Sequence, residues 1–180
     1  MNLILFGFKS CGKTTLGKMI ADRLNRPFFD TDHMLEEYYQ KQTGEKLRFR
    51  DIYKKIGEEA FRTLESEIVQ KLKTVQNSII ALGGGMILNP GAASFLEKLG
   101  QLVYLKVSKD TLKKRILIKE IPPFLNPKDP EGSFEKFYQE RLVKYDTTPA
   151  LSIDLEAKTQ DQVILELTTL ILGLEELSHG

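Results

Sequence analysis

The sequence predicts a three-layer α/β domain, a parallel sheet with helices on both faces. Short, near-continuous apolar runs alternate along the chain with segments of helical spacing, the pattern of strands buried on both faces. The first such run passes through a glycine-bounded turn directly into a helix-spaced segment. At 180 residues, 41% apolar and 28% charged, the chain fits one globular domain over residues 1–180.

The first strand is Leu3-Ile4-Leu5-Phe6, and Gly7 to Thr14 then match G-x-x-x-x-G-K-[ST], the phosphate-binding loop. Leu16, Ile20 and Leu24 follow at helical spacing. Strand, turn and helix in that order aim backbone N–H groups at a polyphosphate, with the positive helix end behind them. The expected nucleotide contacts are Ser10, Cys11, Gly12, Lys13, Thr14 and Thr15. The Lys13 ammonium would reach the β- and γ-phosphates, and the Thr14 hydroxyl would ligate Mg²⁺.

The second strand is Pro27–Asp30, the third Ser78–Leu82, the fourth Gln101–Val107 and a weaker fifth Leu151–Asp154. Helices are expected at roughly 34–43, 58–73, 90–99, 109–119, 133–145 and 160–176, with Asn89-Pro90 as a cap and first-turn proline. Two stretches break the alternation. About 31–76 is too long for a simple crossover and reads as a substrate-binding insertion. About 117–132 holds Pro122, Pro123, Pro127 and Pro130, which exclude helix and central strand there and suggest a lid, a binding loop or a disordered segment.

Asp30-Thr31-Asp32 ends the second strand and Gly83-Gly84-Gly85 the third. In a parallel sheet these ends share one edge, where ligands bind. The two carboxylates suit a metal and an acceptor hydroxyl, or simply cap the next helix. Strand three ends in glycine, so Asp30 is the candidate to support the metal. Three glycines leave bare backbone open to a polar ligand. Arg141 shares a helical stripe with Phe134, Phe137, Tyr138, Leu142 and Tyr145, and Arg62 sits beside Phe61, close to the row Phe61, Leu64, Ile68 and Leu72. A guanidinium on a core-facing surface is either ion-paired or turned into a cavity, where two would bind a carboxylate. Arg115 either stacks on a base or is solvated.

Lys plus Arg (26) nearly balance Asp plus Glu (25), which argues against nucleic acid or membrane surfaces as partners. The one cysteine, Cys11, allows no internal disulfide and fits a reducing compartment. A cytoplasmic monomer is expected.

These residues resemble the shikimate kinase family over nearly the whole chain. The loop at 7–14, Asp30-Thr31-Asp32, Gly57-Glu58-Glu59-Ala60-Phe61-Arg62, Gly83-Gly84-Gly85, the proline-containing lid and Arg141 occur in that family's order. The resemblance implies the P-loop nucleoside-kinase-like fold, with strand order 2-3-1-4-5. It implies ATP-dependent phosphorylation of the shikimate 3-hydroxyl to shikimate 3-phosphate, with ATP as co-substrate and Mg²⁺ as cofactor, on the route to chorismate and the aromatic amino acids. Lys13 and Asp32 would then be catalytic, Asp32 holding the acceptor hydroxyl. Arg62 and Arg141 would bind the carboxylate and the Gly84 N–H a ring hydroxyl. Thr14 and Asp30 would serve the metal, and Arg115 would pack on adenine. One position departs from the family: Pro122 stands where its lid carries an arginine, leaving Lys119 or Lys128 to supply that charge. Gluconate and nucleotide kinases are the nearest rivals. A GTP-dependent switch would need Asn-Lys-x-Asp after a strand, whereas Asn126-Pro127-Lys128-Asp129 has the wrong order.

Overall fold

The computed structural model describes residues 1–118, 121, 122 and 124–179. Among these, five parallel strands form one sheet: β1 (Leu3–Phe6), β2 (Phe28–Asp30), β3 (Ile79–Ala81), β4 (Gln101–Lys106) and β5 (Leu151–Asp154). Their order is β2-β3-β1-β4-β5, as the family resemblance implies. The helices are α1 (Lys13–Leu24), α2 (Thr31–Thr43), α3 (Phe49–Lys71), α4 (Pro90–Leu99), α5 (Lys109–Leu117), α6 (Pro130–Thr147) and α7 (Gln160–His179).

Central β1 is fully buried. Leu5 faces α1, where Gly17 brings the helix so close that a β-carbon there would lie 2.5 Å from the Phe28 ring and 3.5 Å from Leu5. Phe6 faces the other way, stacked on Tyr104 at 5.2 Å and edge-on to Tyr145 of α6 at 5.9 Å. Successive strand residues point to opposite faces, so α1 and α6 cover opposite sides and the domain has three layers.

Several boundaries differ from the sequence reading. α2 starts at Thr31 rather than 34, because Asp30 caps it by accepting the N–H of Asp32. Helix 58–73 is the second half of α3, which already begins at Phe49 and bends at Gly57, where φ is 78°. α6 starts at Pro130 rather than 133: Asp129 caps it, and a proline in the first turn forfeits no helical hydrogen bond. The stretch expected to serve as a lid therefore ends at Asp129, not 132. Lys119, Glu120 and Pro123 lie outside the described residues.

At the sheet edge opposite the loop, Asn2 is buried. Its Nδ2 donates to the carbonyls of Val75 (2.7 Å) and Leu99 (2.9 Å), and its Oδ1 accepts the Ser78 N–H at 3.0 Å. One side chain thus ties the segments entering β3 and β4. Asn2→Ala strands three backbone groups and should cost roughly 3 kcal/mol or more. Urea unfolding should show a lower midpoint at unchanged slope, with turnover per folded molecule unchanged. An unmoved midpoint would mean that these segments hold together without Asn2.

Candidate active site

The connection after β1 runs towards β2 and that after β4 towards β5, so a crevice opens between them at the carboxyl edge. The phosphate loop occupies that switch point. Ser10 and Gly12 have φ of 64° and 109°, and Gly12 directly precedes α1, where a side chain would be strained. The Lys13 ammonium lies within the loop, donating to the carbonyls of Gly7 (3.0 Å) and Phe8 (2.9 Å).

The two carboxylates of Asp30-Thr31-Asp32 do different work. Asp30 Oδ2 accepts the Thr14 hydroxyl at 2.6 Å, while its Oδ1 caps α2. Thr31 is fully buried, and its hydroxyl accepts the Gly83 N–H at 2.7 Å, pinning the start of α2 to the end of β3. Asp32 faces the cavity. Loss of solvation, and then the Asp30 carboxylate, push its carboxyl from the usual 3.8 up to about 7. The capping alternative is thus true of Asp30 and not of Asp32.

Two of the three glycines, Gly83 and Gly85, leave room for side chains of the site. None of Gly83, Gly84 and Gly85 has a positive φ. A β-carbon at 83 would lie 2.2 Å from Asp32 Oδ1, and one at 85 would lie 2.7 Å from Arg62 Nη1. At 84 it would sit in ordinary contact, 3.6 Å from Arg141 Nη1 and 3.5 Å from the backbone nitrogen of Lys9. The Gly84 carbonyl accepts Arg141 Nη1 at 2.8 Å and also the Tyr145 hydroxyl. Arg141 in addition lies 4.2 Å over the Phe137 ring. Arg62 faces the cavity and is ion-paired at once, with Glu65 at 2.9 Å and Glu58 at 3.4 Å. Burial raises the pKa of Glu65, and Arg62 opposes the rise.

One cavity of about 660 Å³ gathers Ser10, Gly12, Lys13, Thr14, Thr15, Asp30, Asp32, Arg62, Gly84, Arg115 and Arg141. Cys11 is the exception among the expected residues. Its side chain is buried and its N–H donates to the Phe8 carbonyl at 3.2 Å, because the loop closes a turn on itself there. Arg115 stands at the rim, donating to the Ser10 carbonyl at 3.3 Å, beside the exposed Ile118. Lys128 is exposed and does not line the cavity. The sequence reading passed over Lys9, Phe49, Arg50, Tyr53, Glu65 and Phe124, which do line it. Phe49, Ile52, Tyr53 and Ile56 recur at helical spacing, a signal that marks the first half of α3. Six cationic and three acidic side chains line the cavity, in a chain whose net charge is only +1. The site is built for anions.

A phosphate loop at the switch point, with a cavity-facing carboxylate and two guanidinium groups across from it, defines a P-loop enzyme of phosphoryl transfer to a small acceptor. The family model described as shikimate kinase matches residues 9–172, and the chain belongs to the shikimate kinase family. It is 34% identical over 174 residues to a shikimate kinase of Caldanaerobacter subterraneus, covering 97% of this chain and 98% of that one. The solved shikimate kinase of Acinetobacter baumannii in complex with shikimate superposes with a TM-score of 0.81 at 28% identity, over 96% of this chain and 93% of that one. A gluconokinase from Sinorhizobium meliloti reaches 0.59 at 15% identity over 99% and 95%, a likeness of fold alone.

The Asp32 carboxyl makes a pH-dependent prediction. It ionises near 3.8 when unfolded and near 7 in the fold, so the fold resists its ionisation. That cost is absent below pH about 4, grows up to about 7 and is constant above. Asp32→Asn removes it. Calorimetry of the ligand-free protein should show a Tm above wild type at pH 8, with the difference vanishing near pH 4. Equal differences at both pH values would mean that the carboxyl titrates as in water.

Proposed function

We propose that the two sides of the cavity hold the two substrates of its family's reaction, the ATP-dependent phosphorylation of shikimate at its 3-hydroxyl. ATP lies over the loop with its base towards Arg115. Shikimate lies between Asp32, the end of β3 and the two arginines. The observation that carries this reading is the convergence of Asp32, Arg62 and Arg141 on the bare backbone at 83–85, beside the phosphate loop.

The residues take roles that follow from their chemistry. Arg62 and Arg141 bind the carboxylate and so aim the 3-hydroxyl at Asp32, while the Gly84 N–H meets a ring hydroxyl. The hydroxyl oxygen forms the new bond to the γ-phosphorus, the bond to the β-bridging oxygen breaks and the hydroxyl proton passes to Asp32. A proton affinity near 7 suits a group that accepts a proton at neutral pH. Lys13 turns from the carbonyls of Gly7 and Phe8 to the β- and γ-phosphates. The Thr14 hydroxyl and Asp30 carboxylate, 2.6 Å apart, fit Mg²⁺, which takes one or two carboxylates together with phosphate oxygens and water. Bound there, Mg²⁺ neutralises phosphate charge. Phosphoryl transfer asks mainly for such positioning and neutralisation. The described residues of one chain bring together all the groups given these roles, which fits action as a monomer. Cys11 is a free thiol, which suits the cytoplasm, and among the described residues no helix is long and apolar enough to cross a membrane.

A coupled ADP-release assay with shikimate, gluconate and nucleoside monophosphates tests the acceptor. Turnover should require shikimate. Arg62→Ala and Arg141→Ala should each raise the KM for shikimate about tenfold or more, as for a lost charge-assisted contact of roughly 1.5–3 kcal/mol, and leave that for ATP unchanged. A shikimate analogue lacking the carboxylate should bind wild type as weakly as shikimate binds the variants. Tight binding of that analogue would contradict the assignment of the arginines.

A further inference from the structure

Lys9 is the third residue of the phosphate loop and lines the cavity. Its Nζ is shut off from solvent and without a hydrogen-bond partner. It is held between two rings, 5.0 Å from the centroid of Phe49 at the start of α3 and 5.6 Å from that of Phe124 in the lid. The charged groups that face it are Arg50, Lys13 and Arg141, with Asp32 the one acid. Burial and then Arg50 pull its pKa down to about 8. Aromatic faces attract a cation, but they do not replace the hydrogen bonds that an ammonium loses on burial. Among the described residues no carboxylate forms a salt bridge with it.

Two of its neighbours locate what is missing. Lys13 marks the donor phosphates and Asp32 the acceptor hydroxyl, and the group that passes between them is the γ-phosphoryl. The described lid offers no cation towards the cavity, since Phe124 lines it while Lys128 points to solvent. Resting on the reading under Proposed function, we propose that Lys9 is a catalytic residue that donates hydrogen bonds to the transferring phosphoryl group, so that the phosphate loop itself supplies the cation opposite the lid. Lys9 keeps its proton and forms no covalent bond, because the hydroxyl proton still goes to Asp32. Phe124 covers the ammonium, which is thus out of water before any ligand binds.

The test uses Lys9→Met, which keeps length and packing without charge, and Lys9→Arg, which restores charge. With shikimate and ATP, Lys9→Met should lower kcat on the order of 10²-fold or more, as for loss of one preorganised donor, while both KM values move less than threefold. Lys9→Arg should recover most of the loss. The Tm of Lys9→Met should equal or exceed that of wild type, since the variant buries no unpaired charge. A second arm needs no acceptor: ADP with aluminium fluoride, a mimic of the transferring phosphoryl, should bind Lys9→Met more weakly by a similar factor, with ADP alone binding as to wild type. Retained kcat and retained mimic binding would overturn the proposal. So would a raised KM for shikimate at unchanged kcat, which would place the ammonium on the acceptor carboxylate. Loss of shikimate specificity in the wild type, with the mimic still weakened by Lys9→Met, would overturn the acceptor reading and support this one.

Discussion

The site depends on a stretch of backbone without side chains. Just beyond β3 come three glycines, and against them lie Asp32 from the start of α2, Arg62 from α3 and Arg141 from α6. No two of these belong to the same helix, so their spacing depends on how closely each helix can approach the strand end. Thr31 and Tyr145 fix the approach, one accepting the Gly83 N–H and the other donating to the Gly84 carbonyl. A strand ending in bulkier residues would leave the sheet intact and push the charges apart.

The same convergence is unfavourable in the ligand-free protein. Asp32 binds a proton more tightly than a free carboxyl and Lys9 more weakly than a free amine, each chiefly because burial disfavours its charged form. Six cations around three acids repel one another until anions enter. On the proposed assignment, polyphosphate and a carboxylate would supply those anions, and ligand binding would complete the electrostatics. Such sites hold their groups at some cost in stability, which here is borne by the aromatic packing of Phe6, Phe8, Tyr104 and Tyr145 behind the loop.

Much of this was legible from sequence because local chemistry dictates it. The loop needs glycine at a left-handed position and a lysine beside it, and both stand in fixed spacing between strand and helix. Arg62 and Arg141 betrayed themselves as charges next to apolar stripes. Other features depend on distant contacts and could not be read locally. Asp30 became the cap and Asp32 the cavity carboxylate because Thr31 is tethered to Gly83, 52 positions away. Pro130 reads as a helix breaker until Asp129 is seen to cap the turn that it begins. Lys9 occupies a position that the loop motif leaves unspecified, and only Phe49 and Phe124 make its burial visible. Cys11 drops out because the loop turns its N–H inward.

The most direct measurement is shikimate binding to Gly85→Ala by titration calorimetry. Gly85 has φ −100° and ψ −15°, which alanine adopts freely, so the added methyl acts only by crowding Arg62 Nη1, 2.7 Å from its position. The guanidinium end is flexible and should swing aside. The Tm should stay close to wild type and binding of an ATP analogue should be unchanged, with the affinity for shikimate lowered about tenfold or more. Shikimate affinity within twofold of wild type, in a folded variant, would contradict the claim that the bare end of β3 positions the acceptor's charge partners.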